Sequence, residues 1–173
     1  MYIITGTTRG LGKEIKKTLL ANDKDVITIN RKDMDLSNPY DFPLYIKSME
    51  KKTRNKDIVF INNAAVLGDI SPFLNIDGNN IINTINTNLI SPLLFLNFTK
   101  LGLKRYLDFL NIELGDTNCV GLYNYDPKIM HTDMNKKLKT NLFFKNESFN
   151  DCVPRNPSDV SEDIFNFLES KIS

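Results

Sequence analysis

Cysteine and histidine are nearly missing from this chain. Its 173 residues hold two cysteines, Cys119 and Cys152, and one histidine, His131. Two cysteines cannot build a disulfide framework, which fits a reduced, cytoplasmic protein. Cys119 reads as a small buried hydrophobe. His131 has no evident serine or cysteine partner and reads as a loop residue rather than a catalyst. No metal site is expected. A charge surplus is also missing: 22 basic against 21 acidic residues leave a net charge of +1. No strong general field therefore attracts nucleic acid or an anionic membrane, and any anion site must be local. No apolar run is long enough to cross a bilayer. The first residues, MYIITGTTRGLG, lack a basic region and a long apolar stretch, so they do not read as a signal peptide. Repeats and long low-complexity tracts are absent.

What is present suits one globular domain over residues 1–173, with 41% hydrophobic and 25% charged residues. Short β-rich runs occupy residues 2–5 (YIIT), 26–30 (VITIN), 57–62 (DIVFIN) and 119–123 (CVGLY), with a further short one expected at 34–36. Between them the apolar spacing is helical: Leu11, Ile15 and Leu19 within 10–21, then 40–52, and most of 81–114. Residues 157–172 form an amphipathic helix with Val160, Ile164, Phe165 and Leu168 on one face. Strands without alternation are buried on both faces, and strands alternating with helices imply βαβ crossovers. The expected architecture is α/β, a Rossmann-like doubly wound parallel sheet reduced in strand number.

Residues 5–12 read TGTTRGLG between the first strand and the first helix. Gly6 permits a tight turn, Gly10 lets backbone approach a pyrophosphate, and Gly12 lets the helix pack on the strand. The helix N-terminus offers amides and a positive dipole end to phosphate. The spacing is Gly-x-x-x-Gly-x-Gly. With the preceding threonine it resembles the short-chain dehydrogenase/reductase family. Asn62-Asn63-Ala64-Ala65 is similar to that family's Asn-Asn-Ala-Gly motif, and Asn86-Thr87-Asn88-Leu89 to its segment with an active-site asparagine, here Asn88. Asn124-Tyr125-Asp126-Pro127 followed by Thr132-Asp133-Met134 resembles the sepiapterin reductase and benzil reductase branch. The resemblance implies a nicotinamide cofactor held by Gly6, Thr8, Arg9, Gly10, Leu11, Gly12, Asn63, Ala64, Ala65, Pro127 and Thr132. It also implies a small-molecule carbonyl substrate and a homo-oligomer.

An NAD site usually carries Asp or Glu at the end of the second strand. Here the text is Asn30-Arg31-Lys32. An arginine there suits a ribose 2′-phosphate, and Arg9 could face the same group, so NADP(H) is expected over NAD(H). Asp35 resembles the family's aspartate beside the adenine, and reads equally as a turn residue before Ser37-Asn38-Pro39.

The family's catalytic tyrosine precedes a lysine by four residues, because a phenol near pKa 10 needs a nearby ammonium to work at neutral pH. No tyrosine of this chain has a lysine four residues later. Thr99-Lys100-Leu101-Gly102-Leu103 resembles the text just after that tyrosine, which makes Lys100 the family lysine and puts Leu96 in the tyrosine's place. Equally, residues 90–100 resemble the helix after Asn88, which leaves Lys100 a surface residue. Both alignments fit because roughly thirty residues, about one strand-plus-helix unit, appear shortened out of the family pattern, with the fifth strand and its serine; the family's last strand is missing too. The strand at 119–123 is then expected beside 57–62. Lys128 stands where the family has a glycine near the nicotinamide. Two functions remain open: an NADP(H)-dependent carbonyl reductase with impaired catalysis, and a nucleotide-binding or interaction protein without turnover.

Overall fold

The computed structural model describes residues 1–54, 56–72, 75–98, 130, 132 and 154–172. Among these residues three parallel strands form a sheet: β1 (Tyr2–Thr5), β2 (Val26–Ile29) and β3 (Val59–Ile61), in the order β2-β1-β3. Ile3 is level with Ile27 on one side and Phe60 on the other. The described helices that accompany them are α1 (Gly10–Ala21), α2 (Phe42–Thr53), α3 (Gly78–Ile85), α4 (Ser91–Phe98) and α5 (Pro157–Ile172). A π turn, Asn86–Ile90, joins α3 to α4 without a break.

All four residues of β1 are buried. Ile3 packs with Ile29, Met34, Leu36, Phe42, Met49 and Phe95. Tyr2 and Ile4 point the other way, into Ile15, Leu19, Val160 and Ile164. The two-residue period of a strand thus divides the core into two layers. Helices α1 and α5 cover one layer, and α2 and α4 the other. The sheet order requires this. The crossover from β1 to β2 and the return from β2 to β3 run in opposite directions, so crossovers of one hand put α1 and α2 on opposite faces.

Helix α1 ends in a Schellman arrangement. Asp23 is left-handed (φ +54°). The amide of Lys24 donates to Leu19 O at 3.0 Å, and that of Asp23 to Leu20 O at 3.2 Å. This turn aims Lys24 at the C-terminal helix. Lys24 Nζ donates to Glu169 Oε2 at 2.8 Å, and Tyr2 Oη donates to Glu169 Oε1 at 2.7 Å. Burial, then the Glu169 carboxylate, pushes the Tyr2 phenol well up. The bonds from Lys24 and Tyr2 hold the Glu169 carboxyl below the usual range.

Residues 34–36 are not a strand. Asn30 O accepts from the amides of Asp33 and Met34 at 2.8 and 3.0 Å, which turns the chain after β2. Met34 and Leu36 are buried as single core side chains. The strand at 59–61 is therefore third in chain order. The second helix starts later than its apolar pattern, at Phe42, because Pro39–Asp41 form a 3-10 turn ahead of it. The expected strand at 119–123, its pairing with 57–62, and the helical stretch beyond residue 98 lie outside the described residues. Among the described residues, no helix is long and apolar enough to cross a membrane.

Phe95 is 3% exposed. Its ring stacks on Phe60 at 5.1 Å and meets Phe42 edge-on at 4.9 Å. Phe95→Ala should cost about 3–5 kcal/mol, seen as a lower urea midpoint. Glu169, with its lowered folded pKa, should add stability above its unfolded value near pH 4.3 that fades as pH falls through the folded value. Glu169→Gln should flatten this acid limb in unfolding curves measured between about pH 2 and 6; an unchanged limb would exclude the cluster as its source.

Candidate nucleotide cleft

The loop after β1 crosses the carboxyl ends of the strands. Gly6 takes φ +71° there, a conformation that strains any side chain. A Cβ on Gly6 would also lie 3.0 Å from Cα of Ala64. A Cβ on Gly12 would collide with Gly6 O and the Asn63 side-chain amide, so only glycine lets α1 start this close to the strand ends. Gly10 also takes a left-handed φ of +58°, and a Cβ there would meet Thr132 Cγ2 in ordinary contact at 3.9 Å. Helix α1 begins without a side-chain cap and without an acidic residue in its first turn. Its amides and dipole therefore suit an anion.

Thr5 locks the loop to β3. Its buried hydroxyl accepts from the amides of Asn63 at 3.0 Å and Ala64 at 2.9 Å. The Asn63 side-chain amide donates to Thr5 O at 2.9 Å and Gly6 O at 3.0 Å. Asn30 holds the other flank: its Oδ1 accepts from Thr7 N at 2.8 Å and from Thr7 Oγ1 at 3.1 Å. Sequence reasoning did not find these roles of Thr5, Asn30 and Thr7. A polar residue next to each strand end was the available signal.

Between these loops lies a cleft of about 770 Å³. Gly6, Thr8, Arg9, Gly10, Leu11 and Gly12 form its floor. Arg31 and Asp35 line one side, Asn63, Ala64 and Ala65 another, and Thr132 reaches it from the C-terminal part. Apolar walls come from Met34, Phe60, Met130, Phe167 and Leu168. The cleft sits where the chain leaves β1 for β2 on one side and β3 on the other, the place where doubly wound sheets bind ligands.

The cleft's charges are unevenly committed. Arg31 is 79% exposed on its side chain and approaches Asp35 Oδ2 through Nε at 3.8 Å. An exposed pair at this distance contributes little, so the guanidinium can serve another anion. Asp35 Oδ1 accepts from Ser37 N at 3.0 Å and Ser37 Oγ at 2.8 Å. The Ser37 amide, followed by its hydroxyl and Arg31, holds the Asp35 carboxyl below the usual range. Asn88 is not among the lining residues. Its Oδ1 accepts from Val66 N at 2.9 Å and its Nδ2 donates to Val66 O at 2.7 Å, while neighbouring Thr87 lines the cleft. Lys100, Pro127 and His131 lie outside the described residues. Among those described, no cluster of His, Cys, Asp or Glu could hold a metal ion.

Solved structures share this fold. A short-chain dehydrogenase/reductase from Saccharomyces cerevisiae matches 91% of this chain and 85% of its own, with a TM-score of 0.60 and 16% identity. The fold is that of the short-chain dehydrogenases/reductases. A short-chain dehydrogenase family protein from Francisella tularensis matches 95% of this chain and 88% of its own, with a TM-score of 0.55 and 16% identity. A Brucella ovis oxidoreductase of the same family, in complex with a partially ordered NAD, matches 62% of this chain with a TM-score of 0.50 and 19% identity. That match spans only 57% of the Brucella ovis chain. No family model matches the sequence, and neither does any curated protein.

Thr5 is fully buried. Thr5→Val keeps its shape and leaves the Asn63 and Ala64 amides without their acceptor. The expected loss is about 1–3 kcal/mol for each unpaired donor, read as a lower urea midpoint. An unchanged midpoint would mean that the clamp adds nothing to stability.

Proposed function

We propose that the chain is an oxidoreductase of the short-chain dehydrogenase/reductase family that binds NADP(H) in preference to NAD(H). The observation that carries this is one cleft at the strand switch point, floored by the glycine loop and edged by Arg31. The residues fit a dinucleotide. The glycine loop and the start of α1 would hold the pyrophosphate. Arg31, with Arg9 close by in the same cleft, would hold a 2′-phosphate, since no acidic residue follows β2 directly to favour a free 2′-hydroxyl. Residues 34–36 would flank the adenine, and Asn63–Ala65 the ribose on the β3 side. The NAD in the Brucella ovis structure supports a dinucleotide in this fold.

When bound, the nicotinamide supplies hydride chemistry. The resemblance to the sepiapterin reductase and benzil reductase branch favours a small carbonyl substrate. The proton must come from elsewhere than a Tyr-x-x-x-Lys pair, because the sequence contains none. Loss of a positioned general acid costs a factor of about 10²–10⁴, so turnover is expected to be impaired. The same absence favours a second reading, a nucleotide-binding or interaction protein without turnover, derived from the family by shortening. A cytoplasmic homo-oligomer is the expected setting for either.

Titration of the purified protein with NADPH and NADH, followed by cofactor fluorescence, tests the proposal. NADPH should bind more tightly, and Arg31→Ala should weaken NADPH by about 10–100-fold while changing NADH by a few-fold at most. Binding of neither cofactor would reduce the glycine loop to a fold element. Binding without turnover of any diketone or pterin-like carbonyl would select the second reading.

A further inference from the structure

The continuous rod of α3, the π turn and α4 grips both lips of the cleft. On the β3 lip, Asn88 makes its two bonds to the backbone of Val66. On the β2 lip, Asn86 Nδ2 donates to Ser37 O at 2.9 Å. Ser91, fully buried, donates from Oγ to Leu36 O at 2.8 Å. Asn86 and Ser91 stand five residues apart, at the first residue of the π turn and the first of α4. Together they bond two successive carbonyls of one loop.

That loop is built to pass on its position. Ser37 donates from both its amide and its hydroxyl to Asp35 Oδ1. Asp35 Oδ2 faces Arg31. A chain of contacts therefore runs from Asn86 through Ser37 and Asp35 to Arg31, and of these Arg31 and Asp35 line the cleft, as does Leu36. Neither Asn86 nor Ser91 lines it. A loop without regular structure has little of its own to fix its distance from the glycine loop. Two side-chain bonds from a packed helix supply that constraint.

We infer that Asn86 and Ser91 are positioning residues for the adenine and 2′-phosphate half of the bound nucleotide, acting through the Ser37 and Leu36 carbonyls. The inference rests on the dinucleotide reading above. A two-point hold on one lip, with Asn88 holding the other, makes the π turn the element that sets the width of the cleft. The substitutions should therefore act on the half of the ligand that the 35–37 loop touches, without either residue touching the ligand.

Calorimetric titration of the full chain with adenosine 2′,5′-bisphosphate is the test. Asn86→Ala and Ser91→Ala are compared with wild type, and Asn86→Gln, which keeps an amide donor, serves as the rescue. Each alanine variant should bind the probe about 3–10-fold more weakly, the range for one lost hydrogen bond. Asn86→Gln should recover most of the Asn86→Ala loss. Wild-type affinity in both alanine variants would overturn the inference and leave the nucleotide reading standing. A loss that Asn86→Gln does not recover, with a matching fall in unfolding temperature, would also overturn it, since a merely structural role behaves so. No binding of the probe by wild type would overturn the nucleotide reading itself, and the inference with it.

Discussion

Everything at the cleft depends on how closely α1 can approach the ends of β1 and β3. Gly12 has no side chain, so the helix starts against Gly6 O and the Asn63 amide. Thr5 then satisfies two amides of the β3 loop with one hydroxyl. The Asn63 side chain returns two bonds to the carbonyls of Thr5 and Gly6. Backbone polar groups next to a buried strand must find partners. Here they find them in one another, across the switch point, so the loop is fixed before any ligand arrives. Preorganisation of this kind lowers the ordering cost of binding.

The same economy shapes the periphery. The C-terminal helix α5 packs Val160 and Ile164 onto Ile4, Ile15 and Leu19. Its Glu169 joins Tyr2 on β1 to Lys24 beyond the end of α1. A helix distant in sequence is thereby fastened to the first βα unit, and its Phe167 and Leu168 complete a wall of the cleft. On the opposite face, the π turn carries Asn86 and Asn88, whose amides hold loops on the two sides of the glycine floor. Inserted residues of this kind are frequent at functional sites because they redirect side chains without ending the helix.

Catalysis stands apart from this scaffold. On the proposed reading, the sheet, the glycine loop and the basic residue after β2 serve nucleotide binding alone. A hydride transfer also needs a positioned proton donor. The sequence has no tyrosine four residues before any lysine. Asn88 bonds both the amide and the carbonyl of Val66. A binding scaffold and a chemical step can separate because they rest on different residues.

Local elements with strong periodicity or fixed turn chemistry were legible in the residues alone. The strand at Tyr2–Thr5, the helix Gly10–Ala21 after the glycine loop and the helix Pro157–Ile172 stand where the residue pattern puts them. Gly6 and Gly12 were legible because backbone strain and close packing leave glycine no substitute. Other features arise from contacts between segments distant along the chain. Met34 and Leu36 alternate like a strand, yet bonds to Asn30 and Asp35 turn the chain there, and apolar alternation cannot reveal a missing ladder partner. The π turn was hidden because one inserted residue hardly alters a helical pattern. The amide bonds of Asn63, Asn86 and Asn88 were hidden for a different reason. An asparagine's partners are chosen by what folds next to it, and those partners lie 22 to 58 residues away along the chain.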